Sequence, residues 1–266
     1  MGVAVVPEGY KDSSVGVIPV DWSCEKLGST IEKIVGGGTP SKEVEEFWQG
    51  DIPWASVKDF TGTRLTKTVD YISLAGLESS ASNLIPAGTL IIPTRMALGK
   101  AAFFDKNVAI NQDLKALYPT EKLEKEFLFY WFQANAETIE SEGTGSTVKG
   151  IRLEVLKEFF LAFPPLPEQK KIARILSTVD RKLELIDQQI TATQTLKKGL
   201  MQKLFSEGVG SQDDSLEGKG QWQPHTEFKD SELGRIPVGW EVRRLGVCRT
   251  YNILRKEGSI TPQLPA

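Results

Sequence analysis

The most regular polarity pattern in the chain runs from Pro164 to Phe205. Apolar side chains fall at Ile172, Leu176, Val179, Leu183, Ile186, Ile190, Leu200 and Leu204, in steps of four and three. Those steps form an a/d seam, with Thr193 and Lys197 as its polar interruptions. Pro164, Pro165 and Pro167 hold the entering chain extended, and Pro167 suits a first helical turn. Glu168 sets an anion at the positive end of the helix dipole, and Gly208 stands where a C-cap glycine belongs. A helix over 166–206 would reach about 60 Å at about 1.5 Å per residue. Its seam is narrow and its other faces are polar, so it needs a partner helix to stay dry. A long surface helix lying on its own domain is the alternative.

Between Gly28 and Pro164 the pattern is mixed and mostly β. Ile31–Val35 reads as an apolar strand entering the loop Gly36-Gly37-Gly38-Thr39-Pro40-Ser41-Lys42, whose glycines permit close backbone approach. The loop lacks the Gly-Lys-Ser/Thr ending of a nucleotide-binding loop. Phe47–Trp54 is an aromatic-rich turn leading into 55–59. Leu84–Pro93 reads as a turn and a buried strand, 94–100 as a polar-tipped hairpin, and Ala101–Phe104 as its return strand. Val108–Leu117 reads as one strand with a polar middle. Leu123–Asn135 is an amphipathic helix with an aromatic face, and 144–152 a glycine- and hydroxyl-rich basic loop. The fold class expected is α+β (α/β), followed by the long helix.

An internal repeat organises the ends. Tyr10-Lys-Asp-Ser-Ser-Val-Gly-Val-Ile-Pro-Val-Asp-Trp22, then Leu27-Gly28, returns as Phe228-Lys-Asp-Ser-Glu-Leu-Gly-Arg-Ile-Pro-Val-Gly-Trp240, then Leu245-Gly246. The offset is constant, and each copy reads as an approach loop, an Ile-Pro turn and a tryptophan anchor. The expected organisation is a globular domain over 1–165, a long helix over 166–206, a polar linker over 207–227 and the start of a second copy over 228–266.

Composition is that of a soluble globular protein, with no membrane-length apolar run and no signal-peptide pattern. Two distant cysteines, Cys24 and Cys248, form no metal spacing, and the cytoplasm is the expected compartment. Net charge is −3. Residues 1–165 hold 16 Lys and Arg against 22 Asp and Glu, whereas 166–210 hold 8 against 5. Nucleic-acid binding would therefore need a local basic face or basic partners.

Catalytic sets are hard to assemble. The only histidine, His225, sits in the polar linker. Asp113-Leu114-Lys115 matches half of an Asp-x-Lys nuclease signature, without an evident upstream acid. The only Pro-Pro, Pro164-Pro165, lacks the amide or acid that a base methyltransferase places before it. The stronger signal is a set of loops rich in base-reading and phosphate-binding side chains. These are Thr39, Ser41 and Lys42; Ser56 and Lys58; Thr94, Arg95 and Lys100; Asn111 and Gln112; and Ser146, Thr147, Lys149 and Arg152.

In order and combination, several stretches resemble the specificity (S, HsdS) subunits of Type I restriction-modification systems. They are Ile18-Pro19-Val20-Asp21-Trp22 with its repeat, Gly37-Gly38-Thr39-Pro40-Ser41, Gly50-Asp51-Ile52-Pro53-Trp54, Ile110-Asn111-Gln112-Asp113, and Pro165-Leu166-Pro167-Glu168-Gln169 with the long helix. The resemblance implies a target recognition domain that reads one half of a split double-stranded DNA sequence. It implies long helices paired antiparallel as a spacer, and docking of two adenine methyltransferase (M) subunits. S-adenosylmethionine would belong to those partners, and ATP and Mg to a separate restriction (R) subunit, with no cofactor in this chain. A full family member has two recognition domains and two helices, so this chain is expected to act as a homodimer on a spaced palindrome. The alternatives are a truncated product, inactive or complementing another half-subunit; a nuclease using Asp113 and Lys115; and a coiled-coil adaptor with no DNA role.

Overall fold

A computed structural model of the chain describes residues 6–145, 148–212 and 222–244. The chain opens with β1 (Tyr10–Ser13), β2 (Gly16–Pro19), β3 (Ser23–Lys26), the single turn α1 (Leu27–Thr30) and β4 (Ile31–Gly36). There follow β5 (Ile52–Ala55), β6 (Arg64–Leu65), β7 (Asp70–Ile72), α2 (Leu74–Glu78), β8 (Asn83–Ile85), β9 (Leu90–Pro93) and β10 (Ala102–Phe104). Next come β11 (Val108–Ile110), β12 (Leu114–Pro119), α3 (Lys125–Ala134), α4 (Ala136–Ser141), α5 (Leu153–Lys157) and β13 (Phe160–Phe163). The helix α6 (Leu166–Glu207) precedes β14 (Ser211–Gln212), β15 (Trp222–Gln223), β16 (Phe228–Ser231) and β17 (Gly234–Pro237). This is the α+β class expected, with the long helix in place.

Two sheets make the globule. One has the order β4-β12-β9-β10-β6, the other β7-β5-β11-β8. Strand β9 is buried on both sides because its residues alternate between two cores. Leu90 and Ile92 join Phe103, Leu117 and the α3 residues Phe127, Leu128, Phe129 and Phe132. Ile91 points instead to Ile85, Phe104, Val108, Ile110 and Leu114. The aromatic face of α3 is core, as its amphipathic pattern predicts. Strand β13 pairs with β3, from Phe160 opposite Lys26 to Phe163 opposite Ser23, so the globule closes beside its own entrance.

Two expectations change and a third is made specific. Val108–Leu117 is two strands in different sheets, not one. Asn111 Oδ1 accepts the Asp113 backbone N–H at 3.1 Å, and that local turn breaks the strand where its polar middle lies. The approach loop of the repeat is a β-hairpin. Tyr10 faces Pro19, and Phe228 faces Pro237 in the same register. In both copies the turn glycine (Gly16, Gly234) is left-handed, and the serine before it (Ser13, Ser231) donates to that glycine's carbonyl at 2.6 Å. Leu245-Gly246 of the second copy lie outside the described residues. Finally, the glycines of 36–38 approach the protein itself. A Cβ on Gly37 would stand 1.8 Å from the Ile110 carbonyl oxygen, and one on Gly38 2.8 Å from Ala81.

The first compact unit runs to Arg181 and so contains the opening turns of α6. They are seated by Gln169, which is fully buried. Its Oε1 accepts the Glu124 N–H, and its Nε2 donates to the Lys122 and Pro164 carbonyls, each at 2.8 Å. Three turns on, the Tyr130 hydroxyl donates to Asp180 at 2.7 Å. Burial chiefly, with the Asp180 hydrogen bond and charge, raises the Tyr130 pKa; Glu126 adds to the rise and Arg64 opposes it. The second unit begins at Lys182. In it, Gly208 closes α6 in the left-handed conformation, its N–H donating to the Leu204 carbonyl at 3.1 Å.

Along α6 only Gln169 and Ala173 are buried, and Ile172 packs partly against the globule's core. The rest of the seam, from Leu176 through Val179, Leu183, Ile186, Ile190 and Leu200 to Leu204, is 37–54 % exposed.

Candidate nucleic-acid interface

Strands β5 and β11 run parallel, with Trp54 beside Ala109 and Ala55 beside Ile110. Their carboxyl ends therefore open at one edge, and the loops that follow emerge together. Ser56 and Lys58 leave β5; Asn111 and Gln112 leave β11. The glycine loop crosses the same edge, held by the Gly38 N–H on the Ile110 carbonyl at 3.1 Å. Its own carbonyl accepts Trp54 Nε1 at 3.1 Å and Ser82 Oγ at 2.6 Å. This crossing delivers Thr39 and Lys42 to a cleft of about 1010 Å³ shared with Ser56, Lys58, Asn111 and Gln112. Crevices at the carboxyl ends of parallel strands are common ligand sites in α/β sheets.

Trp48 and Trp54 also line the cleft, packed edge to face at 5.1 Å. Thr39 donates to Gln112 Oε1 at 2.6 Å, which leaves the Gln112 amide N–H₂ free to donate. Asn111 spends its carbonyl on the turn, and its N–H₂ has no protein partner among the described residues. Ser56 is tied down: its N–H and hydroxyl both donate to Asp59, at 2.8 and 3.3 Å. Asp59 is buried and also accepts the Val69 N–H at 2.7 Å. Lys58 is paired with Asp70. Lys42 is the lining cation with no such partner among the described residues. Ser41 stands next to it, its carbonyl accepting Trp48 Nε1 at 3.0 Å.

The lining carries Lys42 and Lys58 against Glu43, Glu45 and Asp70. That balance does not favour phosphate. It does offer amide donors and carboxylate acceptors, the chemistry that reads base edges.

A second group forms around the β9–β10 loop and residues 144–151. Arg95 bridges to Gly150, and the Met96 N–H donates to the Lys149 carbonyl at 2.9 Å. Arg95 is exposed and lies 3.6 Å from Asp113; Lys149 is exposed and 4.0 Å from Glu140. Thr94 is buried, its hydroxyl donating to the Asp113 carbonyl at 3.0 Å, so it shapes the loop rather than facing outward. Lys100 lies apart, over a groove with Gly99, Gln133 and Ala136, and reaches the Phe60 carbonyl at 3.3 Å. Arg152 is exposed ahead of α5. Ser146 and Thr147 lie outside the described residues.

Asp113 and Lys115 do not face one another as a catalytic pair. The Lys115 ammonium donates to the Gln112 and Leu114 carbonyls. Burial lowers its pKa, and the charge of Asp113 partly offsets that. Among the described residues, no three His, Cys, Asp or Glu side chains converge as a metal site would need. No described helix is long and apolar enough to cross a membrane.

Sequence reading missed the tryptophan wall, the Asp59 hub and Asp70. The signals pointing toward them were the aromatic turn Phe47–Trp54, which holds both tryptophans, and the 55–59 segment that follows it.

Known proteins place this architecture. The chain is 29 % identical over 260 residues to the MjaIX specificity subunit of Methanocaldococcus jannaschii, covering 96 % of this chain and 56 % of that protein. It is 32 % identical over 192 residues to the EcoR124I/EcoR124II specificity subunit of Escherichia coli, covering 70 % and 44 %. The crystal structure of the HsdS subunit from Thermoanaerobacter tengcongensis shares the fold, with TM-score 0.51 and 20 % identity over 74 % of this chain and 48 % of that one. The chain spans about half the length of the curated relatives it matches. Residues 19–194 match the family model for the Type I restriction modification DNA specificity domain, and the chain belongs to that family.

Proposed function

We propose that this chain is a non-enzymatic DNA-recognition subunit, whose globule reads one half of a bipartite double-stranded target. The observation that carries this is convergence. Six of the side chains singled out by their chemistry, from three separate stretches of sequence, meet at one cleft in a domain of the specificity family. Arg95 and Lys149 form a neighbouring candidate surface. The exposed seam of α6 supports pairing with a second copy, which would supply the other half-site reader and make the target a spaced palindrome. Chemistry on the DNA belongs to partners: adenine methyltransferase subunits carrying S-adenosylmethionine, and an ATP- and Mg-dependent restriction subunit. Such an assembly works on chromosomal DNA in the cytoplasm.

The test is to map methylated adenines in DNA exposed to this chain with its methyltransferase partner. A symmetric, split motif is expected. Absence of salt-sensitive DNA binding with the partner present would leave a coiled-coil adaptor instead. Cleavage by this chain that Asp113→Ala abolishes, with DNA binding intact, would establish the nuclease.

A further inference from the structure

The polar groups around the cleft differ in what they have left to offer a ligand. Trp54 Nε1 is spent on the Gly38 carbonyl, Trp48 Nε1 on the Ser41 carbonyl, the Ser56 hydroxyl on Asp59 and Lys58 on Asp70. Asn111 and Gln112 are different: each amide has its oxygen engaged and its nitrogen open. Asn111 is only 6 % exposed, and its Oδ1 holds the local turn by accepting the Asp113 N–H. Turning that amide over would set its N–H₂ against the Asp113 N–H, donor against donor. Its Nδ2 has no protein acceptor among the described residues, and a donor so deeply placed is costly unless something accepts from it. The sealed side-chain atom without a partner among the described residues is Thr120 Oγ1, so Asn111 Nδ2 opens outward, into the cleft that Asn111 lines. Gln112 is exposed, and Thr39 Oγ1 stands 2.6 Å from its carboxamide oxygen. That length suits an O–H···O bond and is short for N–H···O, so the oxygen faces Thr39 and Nε2 faces away.

We propose that Asn111 and Gln112 read a guanine as a pair of donors, with Thr39 the positioning residue that fixes the polarity of Gln112. This deepens the DNA-recognition reading above and rests on it. In the major groove a G·C pair shows two adjacent acceptors, guanine N7 and O6, followed by the cytosine N4 donor. An A·T pair sets the adenine N6 donor between its two acceptors, N7 and O4. Asparagine or glutamine reads adenine by accepting from N6 while donating to N7. Here both carbonyls already serve the protein, whereas two donors consecutive in the chain are free. Glu43 supplies the complement. Asp70 accepts from Lys58 and Glu45 from Gln49 Nε2, which leaves Glu43 as the lining carboxylate with no side-chain donor among the described residues. A carboxylate accepts from cytosine N4. The fold fixes these groups in place. The Gly38 N–H on the Ile110 carbonyl carries Thr39 across the end of β11, and the Asn111 N–H is held on the Ala55 carbonyl at 3.0 Å.

The test uses the full chain in complex with its methyltransferase partner. Methylated motifs are mapped for the parent and for each variant, and binding to the mapped duplex is measured. The parent motif should contain a G·C pair at which 7-deazaguanine, lacking the N7 acceptor, weakens binding about tenfold. Gln112→Glu keeps the shape of an exposed side chain but exchanges its donor for an acceptor. Preference for guanine at that position should fall about tenfold or more, toward the donating bases cytosine and adenine. Asn111→Asp, which keeps the acceptor that the turn needs, should act in the same direction. Thr39→Val releases the Gln112 oxygen and should admit adenine beside guanine, whereas Thr39→Ser, which retains the hydroxyl, should restore the parental motif. An unchanged motif in Gln112→Glu and Thr39→Val, or 7-deazaguanine tolerated at every position, would overturn the donor assignment and leave DNA recognition standing. Equal weakening on all sequences would put Gln112 on a phosphate and overturn the assignment as well. A parent complex with no sequence preference would sink the recognition reading itself, an outcome distinct from any change confined to the variants.

Discussion

Gln169 sits at the hinge of sequence, fold and function, and its removal has a calculable cost. It is fully buried where α6 begins, and three backbone groups depend on it at 2.8 Å: the Glu124 N–H and the Lys122 and Pro164 carbonyls. Gln169→Ala leaves all three without their partner and opens a cavity beside Ile172. An unsatisfied buried polar group costs about 1–3 kcal/mol, and some of these will reach water, so the expected loss is about 3–5 kcal/mol. Gln169→Met keeps the volume but none of the hydrogen bonds, and should recover only the packing share. Gln169→Glu keeps the acceptor but aims a buried carboxylate at two carbonyl oxygens, and should be no better than alanine. Urea unfolding followed by tryptophan fluorescence measures this. With a slope of about 2 kcal/mol/M, the midpoint of the alanine variant should fall by about 2 M. A shift below about 0.5 M with unchanged slope, or a methionine variant as stable as the parent, would refute the hydrogen-bond argument.

Further consequences are equally concrete. Gly37→Ala, whose Cβ would collide with the Ile110 carbonyl, should fail to fold or lose more than about 3 kcal/mol, measured by the same unfolding curve. Lys115 has a pKa below its ordinary 10.5 in the folded protein, so the unfolded chain holds that proton more tightly. Stability should therefore rise as pH climbs from the lowered value toward 10.5, and Lys115→Met should flatten that part of a stability–pH profile. If Arg95 reads a base, Arg95→Ala shifts sequence preference by about 1–3 kcal/mol at one position, while loss of a phosphate contact at Lys149 weakens all sequences alike. Uniform loss from both would refute base reading by Arg95. In the homodimer proposed above, Ile186→Asn would remove an apolar contact twice; Ile186 is half exposed in the single chain, so about 1 kcal/mol per copy is at stake. Sedimentation should then show dimer affinity falling about 30-fold.

The two halves of the chain differed in how much they disclosed before folding. The extent of α6, its glycine cap and its unpartnered stripe were legible because helical periodicity is a local property: each seam residue is related to the next by one turn. The hairpin repeat was legible as a repeat, but its strand pairing was not, since Ser13 and Gly16 bond only once the turn has closed. The candidate cleft divides along the same line. Residue types at Thr39, Lys42, Ser56, Lys58, Asn111 and Gln112 could be picked from loop chemistry. Their meeting could not, because it depends on β5 and β11 lying parallel and on Gly38 crossing Ile110, pairings between residues tens of positions apart. The same long-range packing turned Thr94 inward, tied Lys58 to Asp70 and split Val108–Leu117 between two sheets. What the chain alone determined, then, was its local order: a strand-rich globule, a long helix carrying a narrow apolar stripe, and loops rich in amide, hydroxyl and cationic side chains. Tertiary structure decided which loops share an edge and which polar groups remain free, because contacts distant in sequence carry no periodicity that a linear reading can detect.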